Sequence, residues 1–268
     1  MEATNQSGRH EVAIEIGKLP ILVRTVDPTF REMLHRRYSG FSSSAPPRYE
    51  FEVDIAKEYE TNDDDVEVSL QNGSWKIRRG DFLAQWDPAE GKGTVKQSAN
   101  PYSIDCVLRI VHSLTLAEEG GFLLHSASAI RNGKAFLFSG VSGAGKTTIS
   151  RLAPVDATLL TDEISYIRRE GDGFVACGTP FAGEMGRPGE NRSAPLAALF
   201  FLAKGRENRV EPIAPGDAVR LLMRNILFFA NDAELVKQVF RAAFEFVERV
   251  PVKRLTFFPD KRVWEMIG

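Results

Sequence analysis

The octapeptide Gly140-Val141-Ser142-Gly143-Ala144-Gly145-Lys146-Thr147 constrains this chain more than any other feature, because it fits the pattern G-x-x-x-x-G-K-[ST]. It follows the strand-like run Ala135-Phe136-Leu137-Phe138 and precedes a helix-compatible segment, so the expected local structure is strand, loop, helix. In that setting glycines let successive backbone N–H groups converge on a phosphate chain. The lysine ammonium neutralises phosphate charge, and the Thr147 hydroxyl can ligate magnesium. Gly140, Ser142, Gly143, Ala144, Gly145, Lys146, Thr147 and Thr148 are therefore the expected nucleotide contacts. A merely flexible Gly/Ser loop leaves the lysine and the hydroxyl unexplained.

A magnesium-nucleotide site needs a carboxylate near the metal, and a kinase also needs a group that accepts the proton of its substrate hydroxyl. Asp162-Glu163 follows the apolar Leu159-Leu160 pair only sixteen residues after Lys146. One short helix and one strand fill that interval, which argues against the GTPase and motor layouts, where the metal-binding acid comes later. Thr147, Asp162 and Glu163 form the candidate metal set, and the alternative is an acidic pair that is solvated or caps the next element. His125 lies on the strand before the loop; its alternative role is a structural hydrogen bond at a strand end. Residues 184–192 are rich in glycine, proline and charge, and Arg187 or Arg192 is a candidate cation for the transferred phosphoryl group.

Taken together, Leu124-His125-Ser126-Ala127-Ser128-Ala129, residues 140–148 and Leu159-Leu160-Thr161-Asp162-Glu163 resemble the catalytic domain of HPr kinase/phosphorylase, and more closely the HPr-kinase-related serine kinases. Gly178-Thr179-Pro180-Phe181-Ala182-Gly183-Glu184 also resembles the related-kinase subgroup, and the resemblance spans about 121–204. It implies a mixed α/β P-loop domain similar to that of ATP-dependent phosphoenolpyruvate carboxykinases. It implies transfer of the ATP γ-phosphoryl group to a serine hydroxyl, with ATP and Mg2+ bound and a peptide or small protein as acceptor. It also implies a homo-oligomer. Lys146 and Thr147 inherit the phosphate and magnesium roles, while His125, Asp162 and Glu163 inherit the catalytic neighbourhood. HPr kinase carries two aspartates where this chain has Asp162 then Glu163, so which acid is base and which is metal ligand stays open. The segment linked to dephosphorylation is not recognisable, and phosphorylase activity is not carried over.

The rest of the 268 residues supplies a frame. Extended segments broken by turns are expected at 11–16, 21–25, 48–53, 66–70, 74–79 and 81–86, with one short helix at 29–37, reading as an antiparallel β layer. Asp63-Asp64-Asp65 fits a solvated loop tip. Helical spacing over 101–118 places a junction near residue 98, giving an N-terminal β-rich accessory domain (1–98) and an ATP-binding α/β domain (99–268). Further strands are expected at 122–129, 135–139, 158–160, 164–168, 174–176, 196–203, 209–212 and 252–257, and helices at 215–228 and 233–249. Paired phenylalanines such as Phe257-Phe258, with Phe244 and Phe246, read as core.

Lys and Arg total 34 against 36 Asp and Glu, a net charge of -2 that gives no overall case for a nucleic-acid or membrane partner. The longest apolar run, 196–203, is far short of a bilayer span and residues 1–5 begin no signal peptide, so a soluble cytoplasmic protein is expected. Cys106 and Cys177 lack metal-site spacing and are expected as reduced thiols. The expected function is ATP-dependent phosphoryl transfer to a hydroxyl. The alternatives are a small-molecule hydroxyl kinase and a nucleotide-responsive binding module without turnover.

Overall fold

The computed structural model describes residues 8–57, 59 and 65–267. Asp63 and Asp64 lie outside the described residues, and Asp65 is exposed. The chain forms two compact units, each built on a mixed sheet. The first runs to His112 and includes Phe229–Ala233; the second comprises Ser113–Phe228 and Glu234–Gly268.

The first unit contains β1 (His10–Ile16), β2 (Leu19–Thr25), α1 (Pro28–Arg37), β3 (Tyr49–Ile55), β4 (Glu67–Gln71), β5 (Ser74–Arg79), β6 (Phe82–Asp87) and β7 (Lys92–Gln97). Their order across the sheet is β1-β2-β3-β7-β6-β5-β4. An antiparallel layer was the expectation, but β2–β3 and β3–β7 pair in parallel. The reason lies in the connections. α1 and its flanking loops supply the long crossover that parallel neighbours require, and the β4–β7 meander returns the chain beside β3. Asp27 starts α1 by accepting N–H bonds from Thr29 (2.8 Å) and Phe30 (2.9 Å). The β4–β5 hairpin turns at Asn72-Gly73, both at positive φ.

The helix α2 (Pro101–Glu118) crosses the division between the units. The second unit then holds β8 (Phe122–Arg131), β9 (Lys134–Ser139), α3 (Lys146–Arg151), β10 (Thr158–Thr161), β11 (Ile164–Glu170), β12 (Gly173–Cys177), β13 (Ser193–Lys204), β14 (Arg209–Pro212), α4 (Pro215–Met223), β15 (Ile226–Leu227), α5 (Ala233–Arg249) and β16 (Val252–Phe257). β13 runs parallel to both β9 and β16, which explains why its sequence is a continuous apolar run: both faces are covered. Leu137, Leu199 and Phe201 pack with Leu222 of α4 and Phe246 of α5. On the other face Phe138, Phe200 and Leu202 pack with Ile149 of α3, Phe257 and Trp264.

The helix expected over 215–228 stops at Met223. Asn225 ends it by donating its side-chain amide to the Leu221 carbonyl (2.8 Å), and the chain continues as β15, antiparallel to β8. The phenylalanines divide. Phe200, Phe201, Phe246 and Phe257 are buried as expected, whereas Phe240, Phe244 and Phe258 are exposed. No disulfide joins Cys106 and Cys177. Among the described residues no helix is long and apolar enough to cross a membrane.

Candidate active site

The loop from Gly140 to Gly145 leaves the carboxyl end of β9, the edge at which open α/β sheets present ligands. Gly143 (φ +73°) and Gly145 (φ +114°) hold conformations that side-chain-bearing residues avoid. Gly145 is also required sterically, since a Cβ there would stand 2.7 Å from Cζ of the Phe257 ring. The turn closes with the Ala144 N–H donating to the Val141 carbonyl (3.0 Å). Lys146 opens α3, yet its side chain folds inward, and Nζ donates to the Gly140 carbonyl at 3.2 Å. Burial pushes the Lys146 ammonium pKa down, while the charges of Glu163 and Glu184 oppose that shift.

The acidic pair occupies the turn between β10 and β11. Thr161 shapes it, its hydroxyl oxygen accepting the N–H groups of Glu163 (3.1 Å) and Ile164 (3.2 Å). Asp162 is buried, and its two oxygens accept the backbone N–H groups of Gly183 (2.9 Å) and Met185 (2.8 Å). The carboxylate thereby pins the 183–185 segment over the loop. Gly183 allows this approach, because a Cβ would lie 2.7 Å from Glu163 Oε2 and 2.9 Å from Asp162 Oδ2. Glu184, between the two pinned residues, accepts the Thr147 hydroxyl at 3.0 Å.

His125 sits on β8 opposite Ile164 of β11. Its N–H donates to the Asn225 carbonyl and its own carbonyl accepts the Ser139 hydroxyl, each at 2.8 Å. The ring Nε2 lies 3.9 Å from Glu163 Oε1. Burial first and the Lys146 charge second push the imidazole pKa below its usual value, and Glu163 opposes them.

These groups share one cavity of about 390 Å³. Ser142, Gly143, Gly145, Lys146, Thr147 and Thr148 line its loop side, and His125, Asp162, Glu163 and Glu184 line the other; Gly140 and Ala144, also expected as nucleotide contacts, do not line it. Arg187 is not brought there: it lines a neighbouring cavity of about 420 Å³ with Arg151 and Met185. Arg192 is not brought there either, and its guanidinium donates to the Thr158 hydroxyl at 3.1 Å. Glu184 was not among the expected site residues, although it ends the Gly178–Glu184 segment that carries part of the resemblance. Its signal was an acid directly after the glycine that clears both carboxylates. A larger cavity of about 610 Å³ opens on the first unit, lined by mixed charges such as Arg24, Glu50 and Lys92 and by Asn72 of the β4–β5 turn.

Among the described residues no group of three or more His, Cys, Asp and Glu side chains is disposed to hold a metal ion. Magnesium rarely uses such a cage, taking one or two carboxylates with waters and phosphate oxygens. The Thr147 hydroxyl beside the Glu184 carboxylate, with Glu163 across the cavity, is an oxygen-donor set of that kind.

Residues 92–268 match the family model described as SynChlorMet cassette protein ScmC. The chain belongs to this family. The matched ScmC region contains every residue of the cavity. Among solved structures, the HPr(Ser) kinase/phosphatase from Coxiella burnetii is similar at a TM-score of 0.27 and 12% identity, over 44% of this chain and 93% of that one. No curated protein matches the chain.

Proposed function

We propose that this chain is an ATP-dependent kinase that transfers the γ-phosphoryl group to a serine hydroxyl of a peptide or small protein. The observation that carries the reading is the shared cavity: a glycine loop, a buried lysine, a threonine hydroxyl and three carboxylates face one space. Phosphoryl transfer needs those parts, since its catalysis is mostly positioning and charge neutralisation.

In this reading the loop N–H groups and Lys146 hold the terminal phosphates. The ammonium, now on the Gly140 carbonyl, would turn to them. The Thr147 hydroxyl and Glu184 would hold magnesium, whose charge offsets that of the phosphates. Asp162 is committed to the 183–185 backbone through both oxygens, so the task of accepting the serine proton falls to Glu163, with His125 positioning its carboxylate. The serine oxygen forms a bond to the γ-phosphorus as the bond to the β-phosphate oxygen breaks. The proton goes to Glu163, and ADP leaves.

The test is incubation of the protein with γ-labelled ATP, magnesium and a size-fractionated native extract. Label recovered as phosphoserine in a protein or peptide band is expected. Label confined to small molecules would indicate a metabolite kinase, and ATP binding without transfer would indicate a binding module.

A further inference from the structure

The loop that begins at Gly183 is fixed at both ends and serves two cavities. At its near end Asp162 accepts the Gly183 and Met185 N–H groups. At its far end the Gly189 N–H donates to the Thr179 carbonyl and the Glu190 N–H to the Leu159 carbonyl, each at 3.0 Å. Glycine is obligatory at 189, because a Cβ would stand 1.6 Å from the Leu160 carbonyl oxygen. Between these anchors Gly186 turns the chain at φ +65°, its N–H donating to the Gly183 carbonyl at 3.0 Å, and the ring of Pro188 fixes the backbone after Arg187. Glu184 lines the phosphate-loop cavity, while the next residue, Met185, lines the cavity of about 420 Å³ beside it. Along α3 the division repeats: Thr147 and Thr148 line the first cavity, Ser150 and Arg151 the second. The two cavities therefore adjoin along two separate segments of the chain.

The second cavity has an apolar wall of Val155, Leu159 and Met185, and its charged groups are Arg151, Arg187 and Glu190. Among the described residues neither guanidinium has a hydrogen-bond or ion-pair partner. Two arginines against one glutamate leave a single positive charge. That matches a carboxylate better than a phosphate, which carries nearly two negative charges and would also face Glu190. The proton acceptor Glu163 abuts the same loop, since a Cβ on Gly183 would stand 2.7 Å from its Oε2. A serine held at Glu163 thus lies beside Gly183, and the acceptor chain that carries it runs along the loop toward Met185 and Arg187. Thr147 and Arg151 are one turn of α3 apart, about 6 Å along its axis, a span that extended peptide covers in about two residues.

We infer that the second cavity is a specificity subsite for the acceptor, taking an Asp or Glu side chain about two residues from the serine. Arg151 and Arg187 hold its carboxylate, and its methylenes lie on the apolar wall. The inference rests on the kinase reading above and names the acceptor class as an acidic peptide or an acidic segment of a small protein.

A peptide library with a central serine, in which one flanking position at a time carries Asp, Asn or Lys, tests it with the full chain, magnesium and γ-labelled ATP. The wild type is expected to label the Asp peptide about 10- to 100-fold faster than the Asn peptide at a position within about three residues of the serine. Arg151→Glu combined with Arg187→Glu should turn that preference toward Lys, raising KM for the Asp peptide with kcat retained. Arg241→Glu, which lines neither cavity, should leave the preference unchanged. Equal labelling of Asp and Asn peptides by the wild type, or an Asp preference that survives in the double variant, would overturn the subsite and leave the kinase reading standing. Label in no peptide of the library would also overturn the subsite, and label in no protein of a native extract would overturn the kinase reading with it.

Discussion

Gly143→Ala and Gly145→Ala form a matched pair of perturbations at the loop. Both residues have positive φ, so each alanine incurs a backbone cost of about 1–2 kcal/mol. Around Gly143 there is open space, with no atom within 4 Å of an added Cβ. At Gly145 the new methyl would meet the Phe257 ring at 2.7 Å, and that ring is locked in the core with Leu255, Val263 and Trp264. Overpacking of this kind adds about 1–3 kcal/mol. Gly145→Ala should therefore lose about 2–5 kcal/mol of stability and Gly143→Ala only about 1–2. Urea unfolding followed by tryptophan fluorescence measures the difference, and Trp264 is a local reporter because its indole N–H donates to the Ile149 carbonyl of α3 (3.1 Å). Equal losses, or a milder effect at Gly145, would refute the claim that the Phe257 contact dictates glycine there.

Three further outcomes follow from the same geometry. Asp162→Asn, which turns one acceptor toward a backbone donor into a second donor, should cost about 1–3 kcal/mol in urea unfolding, while Glu163→Gln should cost little stability but abolish transfer. His112 is fully buried, which pushes its imidazole pKa down to about 3; the unfolded chain binds a proton below about pH 6.5 that the native state refuses, so stability is intact above that pH and falls as pH drops toward 3. Between pH 6.5 and 5 that loss is about 2 kcal/mol, and it should be missing from the pH dependence of urea midpoints in His112→Phe. Thr147→Val should raise the magnesium concentration needed for half-maximal transfer, read by titrating the metal at fixed ATP.

What could be read from the residues was local. The Ala135–Phe138 run, the glycine loop and the following helix are determined by neighbours in the chain, and the structure forms β9, the loop and α3 there. The convergence of His125 and Glu163 was carried by the resemblance, since β8–β11 pairing joins residues 39 or more apart. Strand direction in the first unit was not legible, because hydrophobic alternation fixes which face is buried and says nothing of parallel or antiparallel partners. β7 went unread because its Lys-Gly-Thr-Val-Lys-Gln sequence buries only Val95 and Gln97. Arg187 and Arg192 show the same limit at the site: their loop touches the cavity through Glu184, and the turn at Gly186 and the chain beyond it direct the two arginines elsewhere. Phe258 reads as core beside Phe257, but β16 ends at Phe257 and the Phe258 side chain, one residue beyond it, is exposed.

The most direct measurement is label transfer from γ-labelled ATP and magnesium into a native extract by the wild type and by Lys146→Ala, with far-ultraviolet circular dichroism confirming that both are folded. Lys146 is the one Lys or Arg among the described residues that line the cavity, and losing it should reduce transfer about 100-fold or more with the fold retained. Transfer by the folded Lys146→Ala protein at the wild-type rate would contradict the account.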